Sequence, residues 1–150
     1  MTTATNARRR WMSVVAKADC AELDALCGRL EPLPGFQWLR RPETGLVMVR
    51  GRIGGTGAKF NVGEMSLTRC ALRIDGGAAG FAYVQGRSAR HAELAAVVDA
   101  LMQDPQRRED VDAAVVAPLE SAQRERTLRD ARKAAATRVD FYTVVRGEDA

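Results

Sequence analysis

Apolar residues along the chain keep one of two periods, and the period changes twice. Residues 7–18, ARRRWMSVVAKA, put Trp11, Val14, Val15 and Ala18 on one stripe at helical spacing and predict a first helix. The next four residues, DCAE, match a capping box in which Asp19 accepts from the backbone N–H of Glu22 and the Glu22 side chain reaches back. A second helix over roughly 20–30 follows, and Pro32 and Pro34 in EPLPG end it.

From residue 36 the period falls to two. FQWLRR (36–41) and TGLVMVRGRI (44–53) read as strands separated by Pro42 and Glu43. In the second, Val47, Val49, Gly51 and Ile53 point one way, and Leu46, Met48, Arg50 and Arg52 the other. EMSLTRCALRI (64–74) alternates as well, with Cys70, Leu72 and Ile74 opposite Arg69 and Arg73. DGG (75–77) is a turn, and AGFAYVQG (79–86) a third long strand. The pattern is an antiparallel meander, and its polar face is expected to carry Arg50, Arg52, Arg69 and Arg73 together. The plainer reading of such a face is the solvated side of a half-buried sheet.

Helical spacing returns at residue 88. SARHAELAAVVDALMQ (88–103) has Ser88 as N-cap and Leu94, Val97, Val98, Leu101 and Met102 as its core stripe. DPQRRED is a hydrophilic break. A long helix over 118–138 carries Pro118 in its first turn and only a thin stripe of Leu119, Ala122, Leu128, Ala131 and Ala135. Such a helix buries little against its own domain and is expected to lie on a partner. The apolar segment VDFYTVVRG near the end reads as a strand or a docked tail. The fold class that follows is α+β, an antiparallel sheet of three to five strands packed with N-terminal, central and C-terminal helices, in a single domain over 1–150.

Charge sharpens this picture in one region. The net charge is +4, but residues 40–73 hold seven cations against Glu43 and Glu64, while residues 104–150 hold nine cations and ten anions. The positive field therefore belongs to the middle of the chain. Arg outnumbers Lys twenty to three, which suits bidentate contact with carboxylate or phosphate and equally follows from a codon bias. The three cysteines, Cys20, Cys27 and Cys70, have neither the count of a disulfide framework nor the spacing of a zinc site, and read as small buried hydrophobes in a reducing compartment. No apolar run is long enough for export or for a membrane span.

The candidate chemistry centres on GRIGGTGAKF (51–60), where Gly54, Gly55, Thr56 and Gly57 sit among cations. A Walker loop needs G-x-x-x-x-G-K-[ST], and a dinucleotide fingerprint opens a helix. This loop does neither, because it joins two strands. It reads as a bulged turn first and an anion cradle second. His91 is the one histidine, on the first turn of the 88–103 helix, where it forms with Gln85 and Arg87 a candidate polar pocket; the plainer reading is a satisfied, partly buried histidine at a junction of cap residues. A lone histidine lacks the companions a metal site requires, and no Ser–His–Asp order can be built on it. The residues alone thus support a small basic domain with a cationic sheet face and no self-contained catalytic site.

The run RPETGLVMVRGRIGGTGAKFNVGEMSLTRCALRI (41–74) closely resembles the PhnG family, whose members are subunits of the carbon–phosphorus lyase core complex. RRWMSVVA (9–16), YVQGRSARHAE (83–93), DALMQ (99–103), APLE (117–120) and RVDFYTVVRGEDA (138–150) match in order. Glu64-Met65-Ser66 departs from members that read Asp, a small residue and Thr, and Ser88 from members that carry Asp.

The resemblance implies a cytoplasmic subunit in organic phosphonate catabolism. With subunits H, I and L it would support transfer of the ribose triphosphate moiety of ATP to a phosphonate, the α-D-ribose 1-methylphosphonate 5-triphosphate synthase reaction. It also implies partners H, I and J with accessory K and L, no membrane or nucleic-acid partner, and no cofactor on this subunit, ATP being a substrate of the complex. No catalytic or metal-binding residue is expected. The phosphate- or partner-binding candidates are Arg50, Arg52, Gly54, Gly55, Thr56, Gly57, Arg69, Arg73, Gln85, Arg87 and His91. Two roles stay open under this resemblance: an assembly subunit whose glycine loop is an interface turn, or one whose Arg face touches the triphosphate or phosphonate. Outside it, the alternative is a free-standing basic nucleic-acid-binding module using Phe81 and Tyr83.

Overall fold

The computed structural model of the chain describes residues 3–30 and 32–138. Helix α1 runs Thr3–Ala16 and α2 Cys20–Cys27, the latter tightening into a 3-10 turn at Gly28–Leu30. Three strands follow, β1 Phe36–Arg52, β2 Lys59–Ile74 and β3 Ala79–Gln85. The chain then closes with α3 Ala89–Met102, α4 Arg108–Val111 and α5 Ala117–Ala136. The sheet is antiparallel in the order β1-β2-β3, so the α+β meander expected from the alternation is the observed one. VDFYTVVRG lies outside the described residues.

One face of the sheet is covered by the helices. Alternation along β2 and β3 sends Cys70, Leu72, Ile74, Ala82 and Val84 inward, where they meet Trp11, Val14 and Val15 of α1 and the apolar length of α3. Leu23, Leu72, Leu94 and Leu119 are almost wholly buried, each adding about 1.5–3 kcal/mol to the driving force. Burial pushes the Cys27 and Cys70 thiols up to about 11, so both are neutral core hydrophobes, with Cys70 Sγ donating to the Ala92 carbonyl.

Several local expectations need correction. Helix α1 starts and ends earlier than 7–18. Asp19 does cap α2, accepting from Ala21 and Glu22, but the Glu22 side chain accepts from Arg126 of α5 instead of reaching back. Pro42 does not split the first two strands. β1 is an edge strand with register slips on either side of Arg40, and an edge strand with bulges tolerates a residue that cannot donate. The hydrophilic break DPQRRED already turns helical at Arg108, and α4 passes into α5 through a π turn, with the Ala117 N–H reaching back to the Asp112 carbonyl. Pro118 has no N–H for Ala114, and the wider turn just before it fits that gap.

A buried carboxylate that periodicity does not reveal holds these layers together. Asp99 of α3 is fully buried. It accepts from Arg8 Nε and Nη2 at 3.1 and 2.7 Å, from Trp11 Nε1 at 2.9 Å and from the Phe81 backbone N–H at 3.0 Å. One side chain thereby joins α1, α3 and the outer edge of β3. Gln103 extends the cover by donating to the Ala79 carbonyl, so α3 satisfies edge groups that would otherwise be open to pairing. On the far side of α1, Arg10 bridges Asp112 and Glu120. The Arg10 guanidinium holds the Glu120 carboxyl below the usual carboxylate range.

Candidate functional site

Two parts of the molecule leave the packed body. The second half of α5 is exposed from Thr127 onward, including Leu128, Ala131 and Ala135, in keeping with its thin apolar stripe. The other is the β1–β2 hairpin. Strand β3 pairs only with residues 67–73 of β2, so beyond Leu67 the sheet is two strands wide. No residue from 43 to 67 is buried. Gly45–Arg52 alone spans about 25 Å at strand rise.

The base of this hairpin is tied to the body through hydroxyls. Thr68 Oγ1 lies 2.7 Å from the Gly86 carbonyl and 2.9 Å from Thr44 Oγ1. A hydroxyl has one proton, so Thr68 gives its own to the carbonyl and Thr44 donates to Thr68.

Register decides which side chains share a face. Leu46 stands opposite Ser66 and Met48 opposite Glu64, so these four lie on the side of Thr68, Cys70 and Leu72, beyond the reach of the helices. Between Val49↔Gly63 and Arg50↔Asn61 the second strand holds one extra residue, Val62. Arg50 and Arg52, with Asn61 and Lys59 opposite them, therefore continue the same side. Arg69 and Arg73 point to the other side, across from Glu43 and Gln37. The expected surface of four guanidiniums does not form.

Arg69 is also engaged. Glu43 Oε1 accepts from Arg40 and Arg69 at 2.7 Å each. The two guanidiniums, Arg40 first, hold the Glu43 carboxyl below its ordinary range. Arg50, Arg52 and Lys59, by contrast, have no carboxylate within ion-pair distance among the described residues. With Gly51 and Gly55 they line an open depression of about 450 Å³ at the hairpin tip.

The glycine loop is a self-contained turn. Gly54 and Gly55 have φ of 58° and 79°, the left-handed region that glycine enters without a Cβ penalty. The N–H groups of Thr56 and Gly57 both go to the Ile53 carbonyl, and Arg52 Nη1 donates to the Gly57 carbonyl at 2.9 Å. Two of the donors an anion nest would present, the Thr56 and Gly57 N–H groups, are thus engaged within the turn. Gly55→Ala is expected to strain the turn by about 1–2 kcal/mol, seen as roughly 5–30-fold faster hydrogen exchange in the hairpin tip. Thr56→Ala, at an exposed position, should leave those amides unchanged; the reverse result would mean the turn is not held by its glycine.

Gln85, Arg87 and His91 do not meet in a pocket. Gln85 and Arg87 are exposed, whereas His91 is buried, with Nε2 2.8 Å from the Val15 carbonyl. A carbonyl can only accept, so that nitrogen carries the proton and ties α3 to α1. His91 is a core residue and leaves the candidate set. Phe81 and Tyr83 stand exposed on the open side of the sheet, with Arg8 over the Phe81 ring.

Sequence reasoning missed Asp99 and the helix at Arg108–Val116. The signals were present. Asp99 is an acid flanked by Val97, Val98, Leu101 and Met102, and Val111, Val115 and Leu119 recur every four residues.

Comparison with known proteins adds the family. A family model described as "Phosphonate metabolism protein PhnG" matches residues 6–147. The chain is also similar to the alpha-D-ribose 1-methylphosphonate 5-triphosphate synthase subunit PhnG of Rhizobium meliloti (strain 1021). The two are 43% identical over 145 residues, which is 95% of this chain and 90% of that protein.

Proposed function

Since the chain belongs to the PhnG family of phosphonate metabolism proteins, we propose that it works as a non-autonomous subunit of the α-D-ribose 1-methylphosphonate 5-triphosphate synthase for which its Rhizobium relative is named. Its part is assembly. The observation that carries this reading is where the large exposed apolar side chains concentrate: of ten among the described residues, Leu46, Met48, Val49, Ile53, Phe60 and Val62 are on the hairpin, where none covers a core of its own. Exposed apolar surface of that extent marks an interface.

The partners under this reading are subunits H, I and J, with K and L as accessories. ATP and a phosphonate are substrates of the assembly, and this chain binds no cofactor of its own. The setting is cytoplasmic; among the described residues no helix is long and apolar enough to cross a membrane. Arg50, Arg52 and Lys59 serve the assembly through anionic groups on a partner.

The test is reconstitution. The chain alone should convert no ATP with methylphosphonate, the set of subunits including it should, and omission of this chain should abolish product and disperse the complex on gel filtration. Full synthase activity without this chain would overturn the proposal.

A further inference from the structure

The two sides of the hairpin differ in chemistry, and the difference describes what holds it. One side carries Val47 and Val49 from β1 and Phe60, Val62, Met65 and Leu67 from β2. Gly51 lies beneath: a Cβ there would stand 2.7 Å from Val62 Cγ2 and 4.0 Å from Phe60 Cε1, so those side chains lean across the glycine. No charged residue interrupts this side between Leu67 and the tip. It runs on into the open face of the sheet at Tyr83 and Phe81, because Leu67 and Arg69 pair with Gln85 and Tyr83. The opposite side carries Leu46 and Met48 nearer the body and ends in Arg50, Arg52 and Lys59, with Glu64 as its one acid.

A two-stranded ribbon without a third strand or a helix against it is marginal in water. A long edge strand with exposed apolar residues also invites unwanted pairing. Both liabilities vanish if a partner covers the ribbon on both sides. We infer that the hairpin beyond Leu67 is an arm gripped by another subunit of the synthase, in a cleft with one apolar wall against the valine side and one acidic wall against Arg50, Arg52 and Lys59. This rests on the subunit reading above. A second copy of this chain fits less well, because the arm's cations would face a like-charged arm, and like charges brought together disfavour association.

Two full-chain variants test the two walls in co-expression with the other synthase subunits. Val49→Lys/Val62→Lys places charge on the apolar side, and Arg50→Glu/Arg52→Glu reverses the cationic side. None of the four positions is buried, so the free variants should keep the wild-type helical signal and melting midpoint. Each should weaken capture of the partner subunits by roughly 30-fold or more, the size of a lost hot spot. Arg29→Glu, on the exposed 3-10 turn after α2, is the control and should leave capture unchanged. If the valine variant itself loses the fold, Val62→Thr keeps the β-branched shape and should still weaken capture.

Capture at wild-type level by both double variants would overturn the arm. Loss in the valine variant alone would overturn the acidic wall. A wild-type chain that is dimeric by ultracentrifugation, with both variants monomeric, would overturn the partner and assign the cleft to a second copy. Failure of the wild-type chain to join any of its proposed partners would instead sink the subunit reading.

Discussion

Asp99→Ala should lower the stability of the fold by about 3–5 kcal/mol, the cost of breaking a buried ion pair, and drop the melting midpoint by roughly 10 °C or more. The size follows from what is stranded. Trp11 Nε1, which is buried, and the Phe81 N–H, which is part-buried, both donate to this carboxylate; a buried donor without an acceptor costs about 1–3 kcal/mol. Arg8 is about one-third exposed, so its guanidinium can turn to water and contributes less of the loss. Arg8→Ala therefore makes the informative comparison. It leaves Asp99 with its neutral donors, Trp11, the Phe81 N–H and Gln103, but without its cation, and should be destabilising by a smaller amount. The double variant should fall short of the sum, because both singles break one network. Urea denaturation followed by circular dichroism measures all three. An Asp99→Ala midpoint within about 1 kcal/mol of wild type would show that water or a shifted side chain satisfies those donors.

The Asp99 network also marks where sequence pattern runs out. Periodicity located α3 and its cap because every residue involved is local: Ser88 accepts from the His91 N–H three positions on, and the apolar stripe is read off one helix. The same holds for the inward set Cys70, Leu72 and Ile74 of β2. Long-range facts had no such signal. Whether Arg50 and Arg69 share a face depends on the register between two strands, and whether Lys59 joins Arg50 depends on Val62 as a bulge, since one extra residue flips everything beyond it. Whether His91 is a site or a core residue depends on Val15, seventy-six positions away. Pro42 read as a break because an interior strand cannot spare its N–H; only the strand order showed that β1 is an edge. The family resemblance, in contrast, lay in ordered motifs across the chain, and it is the part that the comparisons bear out most fully.

Gly80→Ala should be the most damaging single methyl group in the sheet, at about 3 kcal/mol, the upper end of ordinary overpacking. A Cβ at this position would lie 1.9 Å from the Ala96 carbonyl oxygen and 2.9 Å from both Ala100 Cβ and the Ala100 nitrogen. Two of those three atoms are backbone, so no rotamer change makes room. β3 would have to withdraw from α3, and the Phe81 N–H next to it would be pulled from Asp99. Gly63→Ala is the matched control, since nothing lies within 4 Å of a Cβ there; it should leave the denaturation midpoint unchanged. A second variant separates methyl crowding from backbone contact. Ala100→Gly removes the Ala100 Cβ but neither backbone atom, and glycine inside a helix itself costs about 1 kcal/mol. The double variant Gly80→Ala/Ala100→Gly should thus be no more stable than Gly80→Ala alone. Recovery toward wild type would show that β3 and α3 are kept apart by the alanine methyl, with the Ala96 carbonyl free to yield.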